Sequence, residues 1–161
     1  MPTSSSERTL IVLLRLSLAW VFLYAASHQV LVKGWSVAGF LDHTKTFHWL
    51  YGPMAHSSLT PVITFLVEYG HLLIGLSLLF GLAVRLSSIF GILLMLTYWT
   101  AHMDWPYIGD VNSLLLDFHI VYALILALLI VKRAGHVFGL DGWAARQSFV
   151  AHNGALRWAV A

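Results

Sequence analysis

The chain has 161 residues, of which 59% are hydrophobic and 10% are charged, and its formal net charge is +2. Soluble domains carry about 25% charged residues, so the composition argues against a soluble fold, and the weak, scattered charge excludes a nucleic-acid-binding surface. Cysteine is absent, which excludes disulfides, thiolate metal sites and thiol nucleophiles.

Four apolar segments are long enough to cross a membrane, which takes about 20 residues because the hydrocarbon core is about 30 Å thick. They are residues 9–31, 61–84, 86–103 and 112–132. The first is a retained span and not a signal peptide, since it lacks a small-residue cleavage site. The sequence therefore predicts a single all-α membrane domain over residues 1–161, built as an integral four-helix bundle.

Two segments outside the spans carry patterns typical of a membrane surface. In residues 35–60, apolar residues recur at helical spacing with Asp42, His43 and Lys45 between them, which predicts a short interfacial helix between the first two spans. Residues 134–161 carry Trp143 and other aromatic residues among polar ones, which indicates an interfacial tail.

The distribution of lysine and arginine predicts the orientation, because cytoplasmic loops are enriched in these residues. With a cytoplasmic N-terminus, six of them outside the spans lie on the inner side and two, Lys33 and Lys45, on the outer side. The inner six are Arg8, Arg85, Lys132, Arg133, Arg146 and Arg157. We therefore expect a plasma-membrane protein with both termini inside.

Ionisable residues within spans are costly, by about 2.5–3.5 kcal/mol for an Asp at the centre of an inserting helix, so they mark candidate functional positions. Counting from the helix ends places six of them in the outer half of the bundle. These are His28, Glu68, His71, His102, Asp117 and His119. We take Glu68, His71, Asp117 and His119 as candidate catalytic residues. The alternative is that these groups pair only to be tolerated inside the membrane.

The same positions are consistent with two kinds of metal site, a di-iron centre and a haem. Glu68-x-x-His71 matches half of a di-iron bundle motif, which needs a second such pair and further carboxylates. Haem ligation by two histidines would need residues at one depth on facing helices, for which His71 and His119 are the best candidates. Arg15 lies apart, in the inner third of the first span, and we expect its side chain to extend to the lipid headgroups. The alternative is that it faces inward, toward polar backbone or a ligand headgroup.

Short motifs along the chain resemble the DoxX family. They are residues 15–25 (RLSLAWVFLYA), Gly39-Phe40-Leu41, Glu68-x-Gly70 followed by Gly75, and Gly81-Leu82-x-x-Arg85. Two further stretches, Asp117-x-His119-x-x-Tyr122-Ala123 and Ala134-Gly135-x-x-x-Gly139-Leu140-Asp141, resemble the DoxD branch of that family. The resemblance covers about residues 8–145.

The resemblance implies a four-helix membrane protein of redox metabolism. DoxD-type proteins are the membrane subunit of thiosulfate:quinone oxidoreductase, which oxidises thiosulfate to tetrathionate and reduces quinone together with a small DoxA-type subunit. Quinone is then the expected electron acceptor. Glu68, His71 and His119 would supply protons, and the cofactor-binding residues would be four at the same end, Tyr98, Trp99, His102 and Tyr122.

Two other classes of function remain open. A non-catalytic membrane scaffold of a redox or stress-response complex would use the polar cluster only to hold the helices together. A small-molecule transporter is disfavoured, because the chain shows no pair of discontinuous helices. The expected partners are membrane lipid, quinone, a separate DoxA-type polypeptide and a second copy of the chain, with no nucleic acid.

Overall fold

The computed structural model describes residues 4–160, which are mostly helical. The helices are α1 (Ser5–Val30), α2 (Ala38–Asp42), α3 (His48–Ala55), α4 (Thr60–Phe80), α5 (Val84–Ala101), α6 (Phe118–Val131), α7 (Asp141–Ala144), α8 (Ser148–Ala151) and α9 (Gly154–Ala159). The strands are β1 (Met103–Asp104), β2 (Tyr107–Ile108) and β3 (Asp110–Leu114), which form a small antiparallel sheet between α5 and α6.

Within residues 4–160, three helices are long and apolar enough to cross a membrane, namely α1, α4 and α5. Their outward surfaces carry large exposed apolar side chains, among them Trp20 at 69% and Phe65 at 57%. Such surfaces suit lipid and not water. The predicted membrane protein is confirmed at this level, whereas α6, with 14 residues, is shorter than a full crossing requires.

The predicted fourth span, 112–132, begins too early. Residues 110–114 form β3 and pair with β2, and α6 starts only after Asp117, whose side chain caps it by accepting the main-chain N–H of His119. The error has a physical cause, because Asn112 and Ser113 are residue types favoured both at helix N-caps and in turns, so they do not fix where a helix begins.

The predicted boundary between the second and third spans also shifts. The segment expected at 61–84 ends at Phe80, because Gly81 adopts a left-handed conformation with φ of +65° that ends the helix. The next helix then begins at Val84 instead of residue 86. The first span, predicted as 9–31, is α1.

The predicted single interfacial helix between the first two spans is instead two short helices, α2 and α3. Thr44 lies between them, and its hydroxyl donates to the main-chain oxygen of Leu41, a local bond that competes with helix continuation. Both helices contribute buried side chains, including Leu41 and Tyr51, to an apolar cluster with Val67 of α4 and Ala101 of α5. They therefore cover the ends of α4 and α5.

The main core lies between α1, α4, α5 and α6. Helix α4 packs chiefly against α1, and α5 packs chiefly against α6. The fully buried side chains include Leu18 and Phe22 of α1, Leu78 of α4 and Leu126 of α6. Gly75 allows α4 to approach α1 closely, since a Cβ atom there would lie 2.7 Å from Cγ of Leu23.

Arg15 is not extended to the headgroups as expected. Its side chain is buried at 2% exposure, and Nη1 donates to the main-chain oxygens of Ala134 at 2.7 Å and Val137 at 3.0 Å. Nη2 donates to the oxygen of Phe138 at 3.1 Å. The favoured prediction was wrong, because it rested on the lack of a carboxylate at that depth. The alternative, polar backbone, is what the side chain binds, in the segment that follows α6.

The segment after α6 folds across the end of the bundle at which Arg15 binds it. Its Asp141 side chain is 2% exposed and accepts the main-chain N–H groups of Ala83 at 2.6 Å and Val84 at 3.2 Å. Farther along, Trp158 of α9 lies under the guanidinium of Arg85, 5.1 Å from its ring centroid. The tail is thus held against the α4–α5 turn.

Candidate functional site

Four aromatic and imidazole side chains form a connected group, which we call the ring series, at the end of the bundle where α5 ends and α6 begins. Tyr98 of α5 lies at its centre, with ring centroids 5.6 Å from His71 of α4 and 5.9 Å from His119 of α6. His102, at the end of α5, completes the series at 6.1 Å from Tyr98 and 5.0 Å from His119. Three helices therefore bring three of the predicted histidines around one tyrosine.

The Asp117–His119 pair is the most buried polar contact of the site. Oδ2 of Asp117 lies 2.5 Å from Nδ1 of His119, and both side chains are 4% accessible. The other carboxylate oxygen accepts the main-chain N–H of His119 at 3.0 Å, so the helix cap also positions the carboxylate. A carboxylate fixed on Nδ1 orients the imidazole and fixes its tautomer, which leaves Nε2 as the nitrogen that can take up a proton.

The other two imidazoles of the ring series are fixed in the same way by local acceptors. Nδ1 of His71 donates to the main-chain oxygen of Val67 at 2.7 Å, and Nδ1 of His102 donates to that of Tyr98 at 2.9 Å. Across residues 4–160, Nε2 of all three histidines has no hydrogen-bond partner. Each ring therefore presents one free nitrogen for proton exchange or for a ligand.

Two residues of the site were missed by sequence reasoning. The ring centroid of Phe40, in α2, lies 4.9 Å from that of His102 and 5.6 Å from that of Tyr98. Phe40 therefore covers the ring series on the side of the connection between α1 and α4. Gln29 of α1 interacts with the Tyr98 hydroxyl, and its Oε1 is buried without a partner in the described chain. An amide at the end of an apolar span was a usable signal for Gln29, whereas Phe40 was noted only as part of a motif.

A cavity of about 200 Å³ adjoins the ring series at His102 and Phe40. Its wall also includes His43, Lys45 and Asp104, the last two joined by an ion pair of 2.5 Å. The cavity thus places cationic and imidazole groups beside the buried pair.

A larger apolar groove of about 640 Å³ runs between α4 and α5 on their lipid-facing side. It is lined by residues such as Phe65, Leu73 and Phe90 and shares no residue with the ring series. The groove exists because α4 packs mainly on α1 and α5 mainly on α6, which leaves the contact between α4 and α5 thin. Its dimensions suit a long hydrocarbon chain.

Three of the predicted site residues do not join the ring series. Glu68 is half-buried, and within residues 4–160 no group hydrogen bonds or pairs with its carboxylate, His71 included. Nε1 of Trp99 donates to the main-chain oxygen of Leu115 at 3.0 Å, which anchors the segment before α6. Tyr122 is linked to the site only through Phe118, whose ring contacts both it and His119.

The described residues do not fit either metal reading. No group of three or more His, Asp or Glu side chains in residues 4–160 is arranged to hold a metal ion. A haem between His71 and His119 would have to displace Tyr98, whose ring contacts both imidazoles. We therefore assign no step of the chemistry to a resident metal or haem.

The model of the DoxX family matches residues 10–103, which covers more than half of the chain and includes α1, α4 and α5. No curated protein and no solved structure matches it. With three apolar helices of membrane-spanning length and this match, the chain belongs to the DoxX family of membrane proteins.

Proposed function

We propose that this DoxX protein is a redox enzyme subunit of the DoxD type, which oxidises thiosulfate or a related sulfur compound and reduces membrane quinone. The observation that carries the proposal is the buried Asp117–His119 pair, in ring contact with Tyr98 and His102 beside a cavity with Lys45 in its wall. Quinone reduction needs protons at the place where electrons arrive, and this pair is built to hold and transfer one.

The reaction balances without a resident metal or haem. Two thiosulfate dianions lose one electron each and join through a sulfur–sulfur bond to give tetrathionate. The two electrons reduce quinone, which also takes up two protons to become quinol. In this scheme the dianion replaces Asp104 as the ionic partner of Lys45 in the cavity, and His119, supported by Asp117, gives a proton to the quinone oxygen.

The quinone itself would bind with its head near Tyr98 and His71 and its isoprenoid chain in the groove between α4 and α5. The Tyr98 hydroxyl supports this placement, since it can donate a hydrogen bond and a quinone oxygen accepts one. Glu68, Trp99 and Tyr122 stay predicted members of the site, although their present contacts do not support them. A DoxA-type subunit and a second copy of the chain are proposed partners.

We also propose that α6 is a fourth span and that both termini face the cytoplasm of a plasma-membrane protein. Nζ of Lys132, just after α6, lies 2.6 Å from the carboxylate of Glu7 in the first turn of α1, so α6 ends where α1 begins. The excess of lysine and arginine on that side, six against two, favours a cytoplasmic location.

Thiosulfate-dependent reduction of a short-chain quinone by the purified full-length protein tests the enzyme proposal. Asp117→Asn and His119→Gln should each reduce turnover per folded molecule about a hundredfold, the scale for a positioned proton-transfer group. His152→Gln is the matched control, because His152 is exposed and bonds only to Ser148 of its own helix. Full turnover in both site variants would refute the catalytic assignment.

The scaffold function is the second candidate, and one observation favours it. Each Nδ1 of the three histidines is bonded within its own helix or cap, as expected for groups that are satisfied and merely buried. Under this alternative, Asp117→Asn would lower thermal stability without changing specific activity. Measuring stability and turnover on the same samples separates the two functions.

A further inference from the structure

We infer that His102 is the residue through which protons enter the site, passing from the cavity next to it to the buried Asp117–His119 pair. The inference rests on the proposed function for its biological purpose, but the route itself is a property of the structure. It predicts that the protons consumed by the site come from the side of the membrane that carries α2, α3 and the small sheet.

His102 borders both the cavity and the buried pair. It is the exposed histidine of the ring series and lines the 200 Å³ cavity, whereas His71 and His119 are each 3% exposed. Its ring is tilted by 31° to that of His119 at a centroid distance of 5.0 Å. With Nδ1 of both rings already bonded, Nε2 is the nitrogen that each has free for exchange.

The charged and titratable groups around His102 are compatible with this role. Within α5 it faces Tyr98, and from α6 it faces His119 and, behind it, Asp117. His43, Lys45 and Asp104 share its cavity wall. Lys45 and Asp104 form an ion pair with each other. Imidazole is the side chain suited to relay protons near neutral pH.

Two other approaches to the buried pair are covered within residues 4–160. The opposite end of the bundle is covered by the segment that Arg15 and Asp141 bind. On the α4 side, His71 packs between Phe22 and Tyr98, with ring centroids at 5.9 Å and 5.6 Å. His102 is therefore the member of the ring series that joins solvent to the interior.

His102→Phe tests the inference, because phenylalanine keeps a flat ring between Phe40 and His119 but carries no exchangeable proton. His28→Phe is the matched control: His28 is also exposed, at the outer end of α1, and stacks on Tyr24 at 4.5 Å without touching the ring series. The first readout needs no turnover. It is the exchange rate of the His119 ring proton with water, measured by NMR on full-length protein with ¹⁵N-labelled histidine in lipid nanodiscs.

We expect the exchange rate to fall about a hundredfold in His102→Phe, the scale for loss of a positioned proton-transfer group, and to stay unchanged in His28→Phe. The second readout is thiosulfate-dependent quinone reduction, which should fall in parallel. Unchanged proton exchange in folded His102→Phe would overturn the inference. Slower exchange in a protein without quinone reductase activity, wild type included, would uphold the route and refute the proposed function.

Discussion

Nη1 of Arg15, in the first helix, donates a hydrogen bond of 2.7 Å to the main-chain oxygen of Ala134, which lies 119 positions farther along the chain. The same guanidinium also satisfies the oxygens of Val137 and Phe138. A residue type that usually extends to the membrane surface is here the connection between α1 and the segment that closes one end of the bundle.

Arg15→Gln should destabilise the fold strongly. It leaves at least two main-chain oxygens without donors, at about 1–3 kcal/mol each, and removes the positive charge near the buried Asp141. We expect a loss of about 3 kcal/mol or more in the free energy of unfolding. Equilibrium unfolding in mixed micelles measures it, with Arg157→Gln on the exposed face of α9 as control. Equal stability of the two variants would contradict a structural role for Arg15.

Asp141 lies at the end of the bundle that the segment after α6 closes, and it makes the stability of the protein depend on pH. Burial raises the pKa of this carboxyl above its usual value, although hydrogen bonds from the main-chain N–H groups of Ala83 and Val84 and the nearby His136 and Arg15 oppose the shift. The folded chain therefore binds the Asp141 proton more tightly than the unfolded chain. The contribution to stability is complete below the unfolded pKa, about 3.9, and is lost as pH rises through the raised folded pKa.

The wild type should accordingly gain stability relative to Asp141→Asn as the pH falls. Melting temperatures of both proteins, measured from about pH 8 to about pH 4, provide the comparison. The difference, wild type minus variant, should be larger at the acidic end. Because asparagine does not titrate, parallel curves would mean that the Asp141 pKa is the same in the folded and unfolded chain.

The site could be predicted in part. Counting from the helix ends gave His71, His102, Asp117 and His119 a common depth, and the structure brings all four around Tyr98. The cost of burying ionisable groups in a membrane makes such residues conspicuous in sequence. Glu68 was equally conspicuous, but no group within residues 4–160 pairs with its carboxylate, because spacing along one helix does not determine which neighbouring helix a side chain faces.

Other features depend on contacts that no local pattern encodes. The acceptors of Arg15 are main-chain oxygens, which every residue has, so the sequence offered no sign of them. Residues 112–114 of β3 were predicted as helix, because Asn112 and Ser113 are residue types favoured both at helix N-caps and in turns. Its pairing with Tyr107 and Ile108 depends on the turn at Gly109, whose φ is +77°.

Two glycines of α4 should respond differently to alanine. A Cβ atom at Gly75 would lie 3.0 Å from the main-chain nitrogen of Leu23, so α1 and α4 would have to move apart. We expect Gly75→Ala to cost about 1–3 kcal/mol, as overpacking usually does. At Gly70 nothing lies within 4 Å of the added atom, and alanine favours helix over glycine by about 1 kcal/mol, so Gly70→Ala should be neutral or slightly stabilising.

Unfolding of the two glycine variants under the same conditions is the measurement. Both positions lie in α4, five residues apart, so the gain in helix propensity from glycine to alanine is the same in both variants. The difference between their free energies of unfolding therefore reports the contact of Gly75 with α1. A destabilised Gly70→Ala, or an unchanged Gly75→Ala, would contradict the close approach of the two helices at Leu23.

The proposed orientation can be tested cleanly because the chain contains no cysteine. Ser58→Cys and Ser148→Cys are nearly isosteric changes at exposed positions, the first in the connection before α4 and the second in α8. With both termini and a fourth span arranged as proposed, a membrane-impermeant maleimide added to intact cells should label Ser58→Cys and leave Ser148→Cys unlabelled. Disrupting the cells should then expose the second position, and a denatured sample gives the maximum labelling of each.

Labelling of both positions in intact cells would mean that α6 does not cross, since an odd number of spans puts the N-terminus and the tail on opposite sides. The reverse pattern would keep four spans but place the ring series on the cytoplasmic side, and would change the source of the protons that reach His102.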